Sequence, residues 1–464
     1  MTQRYDLFIN NDFVAPDGDD YFPAYNPYTG DVHAMIPQAS DAQVAQAVAA
    51  ARTAFDTVWS KTSGLERSKL LGKLADLLEQ NAERMAILET TDNGKVIRET
   101  KGQMLMAARS YRFYAGAADK IFGQSIPLDQ KDVFDYTAKE PLGVCVLITA
   151  WNSPMSILCM KLAPALAAGN CVVIKPSEHA SSTTLELAKL IKEAGFPAGV
   201  VNVTTGDYRV GKALTRSGRV DRVSFTGSPQ VGRSIAADAG ERLIPVTLEL
   251  GGKSPNIIFD DADLDKAVVG ALAGIFAATG QTCIAGSRLV VQRGVYDEVI
   301  ARLAKRAGMI KLGNPLDMAT EMGTAANEPQ FRRILERIEK ARAEGDRRQA
   351  GDGAGPGNRL FHRTHDLRRC DQRHGACAGR GVRAGPCHPS LRHRGRGDRD
   401  RQRHALWPRI RGLDARHLAR DAHGEGDRGR DGLGQHLPLG PGHGALRRVQ
   451  GLGLRQRAGH GLAG

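Results

Sequence analysis

No apolar stretch in the 464 residues approaches the roughly 20 needed to cross a membrane as a helix, so a membrane-spanning protein is not expected. The first ten residues lack a basic patch followed by an apolar run, so no signal peptide is expected either. The seven Cys are odd in number and without paired spacing, which excludes a disulfide framework and favours a reducing compartment; the expected location is the cytoplasm. Between residues 144 and 250 there is no Gly-x-Gly-x-x-Gly, so the common dinucleotide fingerprint is missing. No internal repeat is evident, and no metal site is expected.

The most telling scarcity is local. Residues 346–464 hold no Lys, Tyr or Met, one Ile (Ile410), one Phe (Phe361) and two Val (Val382 and Val449), but 25 Arg, 24 Gly and 11 His. Such a segment cannot bury enough apolar surface to offset the entropy of ordering itself. It also carries the charge: the formal net charge is +13, and without this segment's Arg the body is close to neutral. The basic balance therefore says nothing about the partners of residues 1–345. Clustered Arg without interleaved aromatics or a motif supports non-specific phosphate contact at most.

What is present reads as a layered α/β protein. Residues 5–14 form a strand, a turn and a strand. Residues 41–119 are helical, with Leu70, Leu71, Leu74, Leu77 and Leu78 at helical spacing. Residues 120–139 read as a hairpin-like arm. From residue 144 short apolar strands (144–149, 171–175, 200–203, 222–225, 246–250) alternate with helices (156–168, 181–194, 210–215, 230–239). That pattern implies a parallel sheet covered on both faces. Residues 251–345 add a strand–helix–strand–helix block. In such sheets ligands lie at the carboxyl ends of the strands, so the turns after the strands matter most.

Five such places stand out. Gly280-Gln281-Thr282-Cys283 sets a thiol in a loop; a lone Cys is more often a small hydrophobe. Thr247-Leu248-Glu249-Leu250-Gly251-Gly252-Lys253 puts a carboxylate in an apolar strand, where desolvation would tune it toward general-base work; backbone donors satisfying a structural Glu is the alternative. Trp151-Asn152 follows the strand at 144–149, where an amide can donate to an oxyanion or merely stabilise a turn. Lys175-Pro176-Ser177-Glu178 could hold ribose hydroxyls or form a surface ion pair. Phe225-Thr226-Gly227-Ser228-Pro229-Gln230-Val231-Gly232 places glycine where a diphosphate could meet a helix N-terminus, although that spacing alone is weak.

Together these resemble the aldehyde dehydrogenase superfamily, over essentially all of residues 5–345. The likeness extends to Asn26-Pro27-Tyr28-Thr29-Gly30, to residues 161–170 (KLAPALAAGN) and to Asp260-Asp261-Ala262-Asp263-Leu264. It departs at Ala150 and Ser153, where the family usually has Pro and an aromatic; pocket shape changes while the Asn152 amide stays. The resemblance implies a parallel-sheet NAD-binding domain (1–119 and 140–250), a β oligomerisation arm (120–139) and the first part of an α/β catalytic domain (251–345). It implies Cys283 as nucleophile, with the Asn152 amide and the Cys283 backbone N–H around the oxyanion. Glu249 would be the base and Lys161 a supporting group. Trp151, Lys175, Glu178, Gly227, Ser228 and Gly232 would hold NAD, with NADP the second choice. The substrate would be a small aldehyde, and the in-frame protein a homo-dimer or tetramer.

The family continues with Glu-Glu-x-Phe-Gly-Pro-Val, Tyr-Gly-Leu, Gly-x-Val-x-x-Asn and Pro-Phe-Gly-Gly, none of which occurs here as written. Reading the tail from the second base of each codon, with degenerate codons chosen freely, residues 379–386 (GRGVRAGP) yield Glu-Glu-Val-Phe-Gly-Pro-Val. Residues 407–414 yield Gly-Leu-Ala-Ser-Gly-Val-Trp, 431–437 yield Thr-Val-Trp-Val-Asn-Thr, and 445–459 yield Pro-Phe-Gly-Gly-Phe-Lys-Gly-Ser-Gly-Phe-Gly-Asn-Glu. Four motifs in order from one frame point to a frame shift near Glu344-Gly345. A genuine basic disordered tail is the alternative. On either reading residues 346–464 are expected to be disordered, and on the first the catalytic domain is incomplete. The family's nicotinamide-ribose Glu lies hidden under Arg380–Gly381, and the final oligomerisation strand is lost.

Overall fold

The computed structural model describes residues 2–343 and, by backbone alone, the short strands Arg348–Gln349, Asp366–Leu367 and Leu454–Gly461. The fold is mixed α/β. Its centre is a seven-stranded sheet in the order Val246–Leu250, Arg222–Gly227, Val144–Ile148, Cys171–Lys175, Val201–Val203, Leu7–Ile9, Asp12–Val14. The first five strands run parallel, and the last two add an antiparallel hairpin. That hairpin turns through Asn10 and Asn11, both left-handed (φ 53° and 69°), a backbone state Asn accepts more readily than most residues and one that suits the twist of a tight hairpin.

Val144–Ile148 and Cys171–Lys175 are buried along their whole length, which is why they read as unbroken apolar runs. Helices cover them. Asp41–Thr57 and Gly64–Gln80 each begin with a capping box, Ser40 with Gln43 and Ser63 with Glu66. Ala82–Asn93 and Ile97–Ala117 follow, then the crossovers Pro154–Ala167, Ser182–Ala194, Tyr208–Arg216 and Pro229–Glu241. One large core joins these helices to both faces of the sheet.

The chain visits the strands from 144 to 203 in one direction, then crosses back to lay Arg222–Gly227 on the other side of Val144–Ile148. The order reverses between those two strands, and a crevice opens at their carboxyl ends. The turns there are Thr149–Asn152 and Gly227–Ser228.

Residues 251–343 form a smaller block. Pro255–Ile258 and Arg288–Val291 pair in parallel, and the helices Leu264–Phe276 and Tyr296–Ala307 pack against them around a second, smaller core. Glu328–Ala343 ends the continuous description. Ile257, Val269 and Ile284 stay exposed on this block.

Two elements differ from the sequence reading. Tyr21–Tyr25 and Val32–Pro37 form a hairpin with Gln3–Arg4 beside it, a three-stranded sheet not anticipated from the pattern. In the arm, Gln124–Ile126 pairs with Phe134–Pro141 as expected, but Leu454–Gly461 then pairs antiparallel along all of Phe134–Pro141. A final strand is therefore present in backbone terms where its loss was expected. Backbone N–H and C=O groups pair whatever the side chains, and Phe134–Pro141 offers an open edge. The rest of the tail, including the expectation of disorder, lies outside the described residues.

Candidate active site

Three loops converge at the carboxyl end of the sheet. The first follows Val144–Ile148 and carries Trp151 and Asn152. The Asn152 Nδ2 donates to the Gln281 carbonyl at 2.8 Å, and so joins the sheet domain to the loop that bears Cys283. Cys283 is exposed, while Cys145, Cys159 and Cys171 are buried. Among the described residues, the Sγ that can meet a substrate is therefore that of Cys283. Trp151 offers its carbonyl to Asn93 Nδ2 at 3.2 Å, which fixes the turn on the other side.

The second loop is the one before Cys283. Ala278, Thr279 and Gly280 all have positive φ (51°, 56° and 69°). Gln281, itself buried, locks this turn: its N–H donates to the Ala278 carbonyl at 2.9 Å, and its Nε2 donates to the Ala278 and Thr324 carbonyls. Ala326 N–H donates to its Oε1 at 2.9 Å. Gln281 belongs to the motif read from sequence, but its anchoring role was not anticipated.

The third loop is the Gly251-Gly252 turn after Val246–Leu250. A Cβ on Gly252 would lie 3.3 Å from the Cys283 carbonyl oxygen, so the absence of a side chain lets this turn close on the nucleophile loop. Glu249 is the penultimate residue of the strand that leads into it. It is exposed, not desolvated as expected from its apolar neighbours. The reason is sheet order: Val246–Leu250 is an edge strand. Lys161 is the buried member of this group. Its Nζ donates to Ser224 Oγ at 2.8 Å, and burial pulls its pKa down to about 8, against the pull of the Glu249 carboxylate and with a smaller push from Arg222. Ser224 carried no sequence signal; a Ser in a buried strand is usually satisfied by backbone.

The nucleotide side lies on the same crevice. Lys175 Nζ is buried, donates to the Pro176 carbonyl at 2.9 Å and lies 3.7 Å from Glu178 Oε2. Burial lowers its pKa, and Glu178 and Asp207 oppose this. Ser228 caps the helix Pro229–Glu241, its Oγ accepting from Val231 N–H. A Cβ on Gly227 would collide with the Phe225 ring. A Cβ on Gly232, the other residue expected at the cofactor, would lie 2.8 Å from Leu250 Cδ2, so the missing side chain also lets the helix settle onto the sheet. The residues present fit a dinucleotide. A 13-residue helix presenting its capped N-terminus and a buried Thr149 hydroxyl without a protein partner sit at the reversal of strand order, and the buried Lys175 ends the strand next to it.

An open parallel sheet whose switch-point crevice abuts a thiol-bearing loop is the architecture of an NAD-linked oxidoreductase. The chain belongs to the aldehyde dehydrogenase family, whose model matches residues 13–364. It is 46% identical to a (Z)-2-((N-methylformamido)methylene)-5-hydroxybutyrolactone dehydrogenase of Acinetobacter baylyi, over 76% of this chain and 73% of that protein. It is 43% identical to human retinal dehydrogenase 2, over 76% of this chain and 69% of that protein. Among solved structures, an NAD+ complex of aldehyde dehydrogenase from Bacillus cereus superposes with a TM-score of 0.81 at 38% identity, covering 84% of this chain and 80% of that one. No helix among the described residues is long and apolar enough to cross a membrane.

Proposed function

We propose that residues 1–345 carry the machinery for oxidising an aldehyde to a carboxylic acid with NAD, in the cytoplasm. The observation that carries the reading is the 2.8 Å bond from Asn152 to the Gln281 carbonyl, which puts an amide donor two residues from an exposed thiol. The Cys283 thiolate attacks the aldehyde carbon to give a thiohemiacetal. The Asn152 amide turns from Gln281 to the developing oxyanion, together with the Cys283 N–H. NAD, when bound, supplies the hydride acceptor. Glu249, exposed to solvent at the edge of the sheet, takes a proton from water as that water attacks the thioester, releasing the acid and the Cys283 thiol. Lys161, held by Ser224 and attracted by the Glu249 carboxylate, supports the site from below the surface.

Lys175 and Glu178 would hold the adenosine ribose, Gly227 and Ser228 the diphosphate, and Trp151 the floor of the crevice. Glu178 favours NAD over NADP, because a 2′-phosphate would face its carboxylate. The division into an NAD-binding domain (1–119 and 140–250), an arm (120–139) and a partial catalytic domain (251–345) is part of the same proposal, as is a dimer or tetramer for the in-frame protein.

A second reading concerns the chain as written. The family match ends at residue 364, 100 residues before the last. With the motifs hidden in the second frame, this supports a frame shift near residue 345 and a folding-defective or binding-only remnant, inactive as written. The test of the first reading is aldehyde-dependent NADH formation by a chain whose frame is restored there, beside its Cys283→Ser variant. Formation of NADH without Cys283 would remove the nucleophile from the proposal.

A further inference from the structure

The segment entering the helix Ile97–Ala117 touches both halves of the site. Asn93 donates to the Trp151 carbonyl, and Lys95 Nζ donates to Ser153 Oγ at 2.5 Å and to Gln103 Oε1 at 2.9 Å. One turn further on, Glu99 Oε2 accepts the Ala278 N–H at 2.9 Å, across 179 residues of sequence. Lys95 and Glu99 also attract each other, so the two contacts share one pair of opposite charges.

Ala278 is where a hold is needed. It and Thr279 adopt left-handed backbone (φ 51°, ψ 35° and φ 56°, ψ 34°), unfavourable for any side chain and most so for a β-branched one. Such a turn persists only where its surroundings over-determine it. Gln281 holds the Ala278 carbonyl from one side, and Glu99 holds its N–H from the other. Glu99 also lies in the first turn of its helix, where a carboxylate would gain from the helix dipole without any contact to the site.

We propose that Glu99 is a positioning residue: by holding the Ala278 amide it maintains the left-handed turn that aims Gln281 at Asn152 and presents Cys283. This rests on the reading of Cys283 as the nucleophile, and the test therefore follows the loop, not turnover.

The test is residue-resolved amide exchange on the soluble fraction of the full chain, read at Gln281, whose N–H donates to Ala278 and not to Glu99. Glu99→Ala should speed exchange at Gln281 at least tenfold and change the rate of Cys283 alkylation by iodoacetamide at least threefold. Glu99→Gln keeps an acceptor oxygen and should stay within threefold of the parent in exchange. Adding Thr279→Gly to Glu99→Ala removes most of the conformational cost of the turn and should restore both rates. The proposal is overturned by parental exchange in Glu99→Ala, by equal damage from Ala and Gln, or by no recovery in the double variant. Loss of protection across Val144–Ile148 in Glu99→Ala would make Glu99 a general stabiliser and overturn it too. If Cys283 is not the nucleophile, that is seen in the turnover of Cys283→Ser and leaves these exchange rates unchanged.

Discussion

Lys161 Nζ lies 2.8 Å from Ser224 Oγ, beneath the strand edge that carries Glu249, and it is buried. This single contact ties the crossover helix Pro154–Ala167 to the strand Arg222–Gly227 at the depth of the site. Its pKa of about 8 makes a pH dependence testable. A lysine depressed from its usual 10.5 binds its proton more weakly folded than unfolded. Above pH 10.5 both states are neutral and the burial costs nothing. As pH falls from 10.5 to about 8 the unfolded chain takes up the proton and the folded one does not, so stability drops. Below about 8 the difference is constant at about 3 kcal/mol. Urea melts of the parent and of Lys161→Met between pH 7.5 and 10.5 should therefore diverge as pH falls. Parallel curves across that window would show that Lys161 is not titrating there.

Glu249 and Asn152 should separate by step in the frame-restored enzyme. Glu249→Gln removes the base for thioester hydrolysis but not the hydride step, so a burst of NADH equal to the active sites should precede little turnover. Asn152→Ala removes an oxyanion donor and should lower kcat by roughly 10²- to 10³-fold. Stopped-flow absorbance of NADH distinguishes the two. A burst that disappears in Glu249→Gln would move Glu249 ahead of hydride transfer.

The Lys175–Glu178 pair sets the third expectation. Glu178 lies 3.7 Å from a buried ammonium; in the proposed role its carboxylate accepts from ribose hydroxyls and repels a 2′-phosphate. The frame-restored enzyme should show a higher kcat/KM with NAD than with NADP, and Glu178→Gln should narrow the gap. Equal use of the two cofactors by the parent would contradict this role.

Legibility in the sequence follows locality. The strands Val144–Ile148 and Cys171–Lys175 were readable because burial on both faces writes itself as a continuous apolar run. The arm and the hairpin through Asn10-Asn11 were readable from turn residues and alternation. Glu249 stood out in the sequence, but its exposure did not: whether a strand is central or at the edge depends on sheet order, set here by a crossover between distant segments. The packing of Gly232 against Leu250 was not legible, since the direction of a missing Cβ depends on helix rotation over the sheet. Ser224 and Glu99 left no pattern, because each meets its partner over 63 and 179 residues respectively.

The last expectation concerns the chain as written. Ile284 is 78% exposed, Val269 55% and Ile257 46%, all within the block of residues 251–343. Apolar side chains on a catalytic block need a partner surface to leave water. Residues 346–464 contain one Ile, one Phe, two Val and 13 Leu against 25 Arg, 24 Gly and 11 His, so they bring little apolar area to cover such side chains. The expressed 464-residue chain should be poorly soluble, with negligible dehydrogenase activity, and trypsin should remove its Arg-rich end quickly. Restoring the frame near residue 345 would supply the Glu-Glu-Val-Phe-Gly-Pro-Val segment and the remainder of the catalytic domain, and activity should return. The measurement is an assay of the two chains side by side with one aldehyde and NAD, each scaled to soluble protein. Comparable specific activity would mean that residues 346–464 complete the enzyme as they stand, and the frame-shift reading would have to be abandoned.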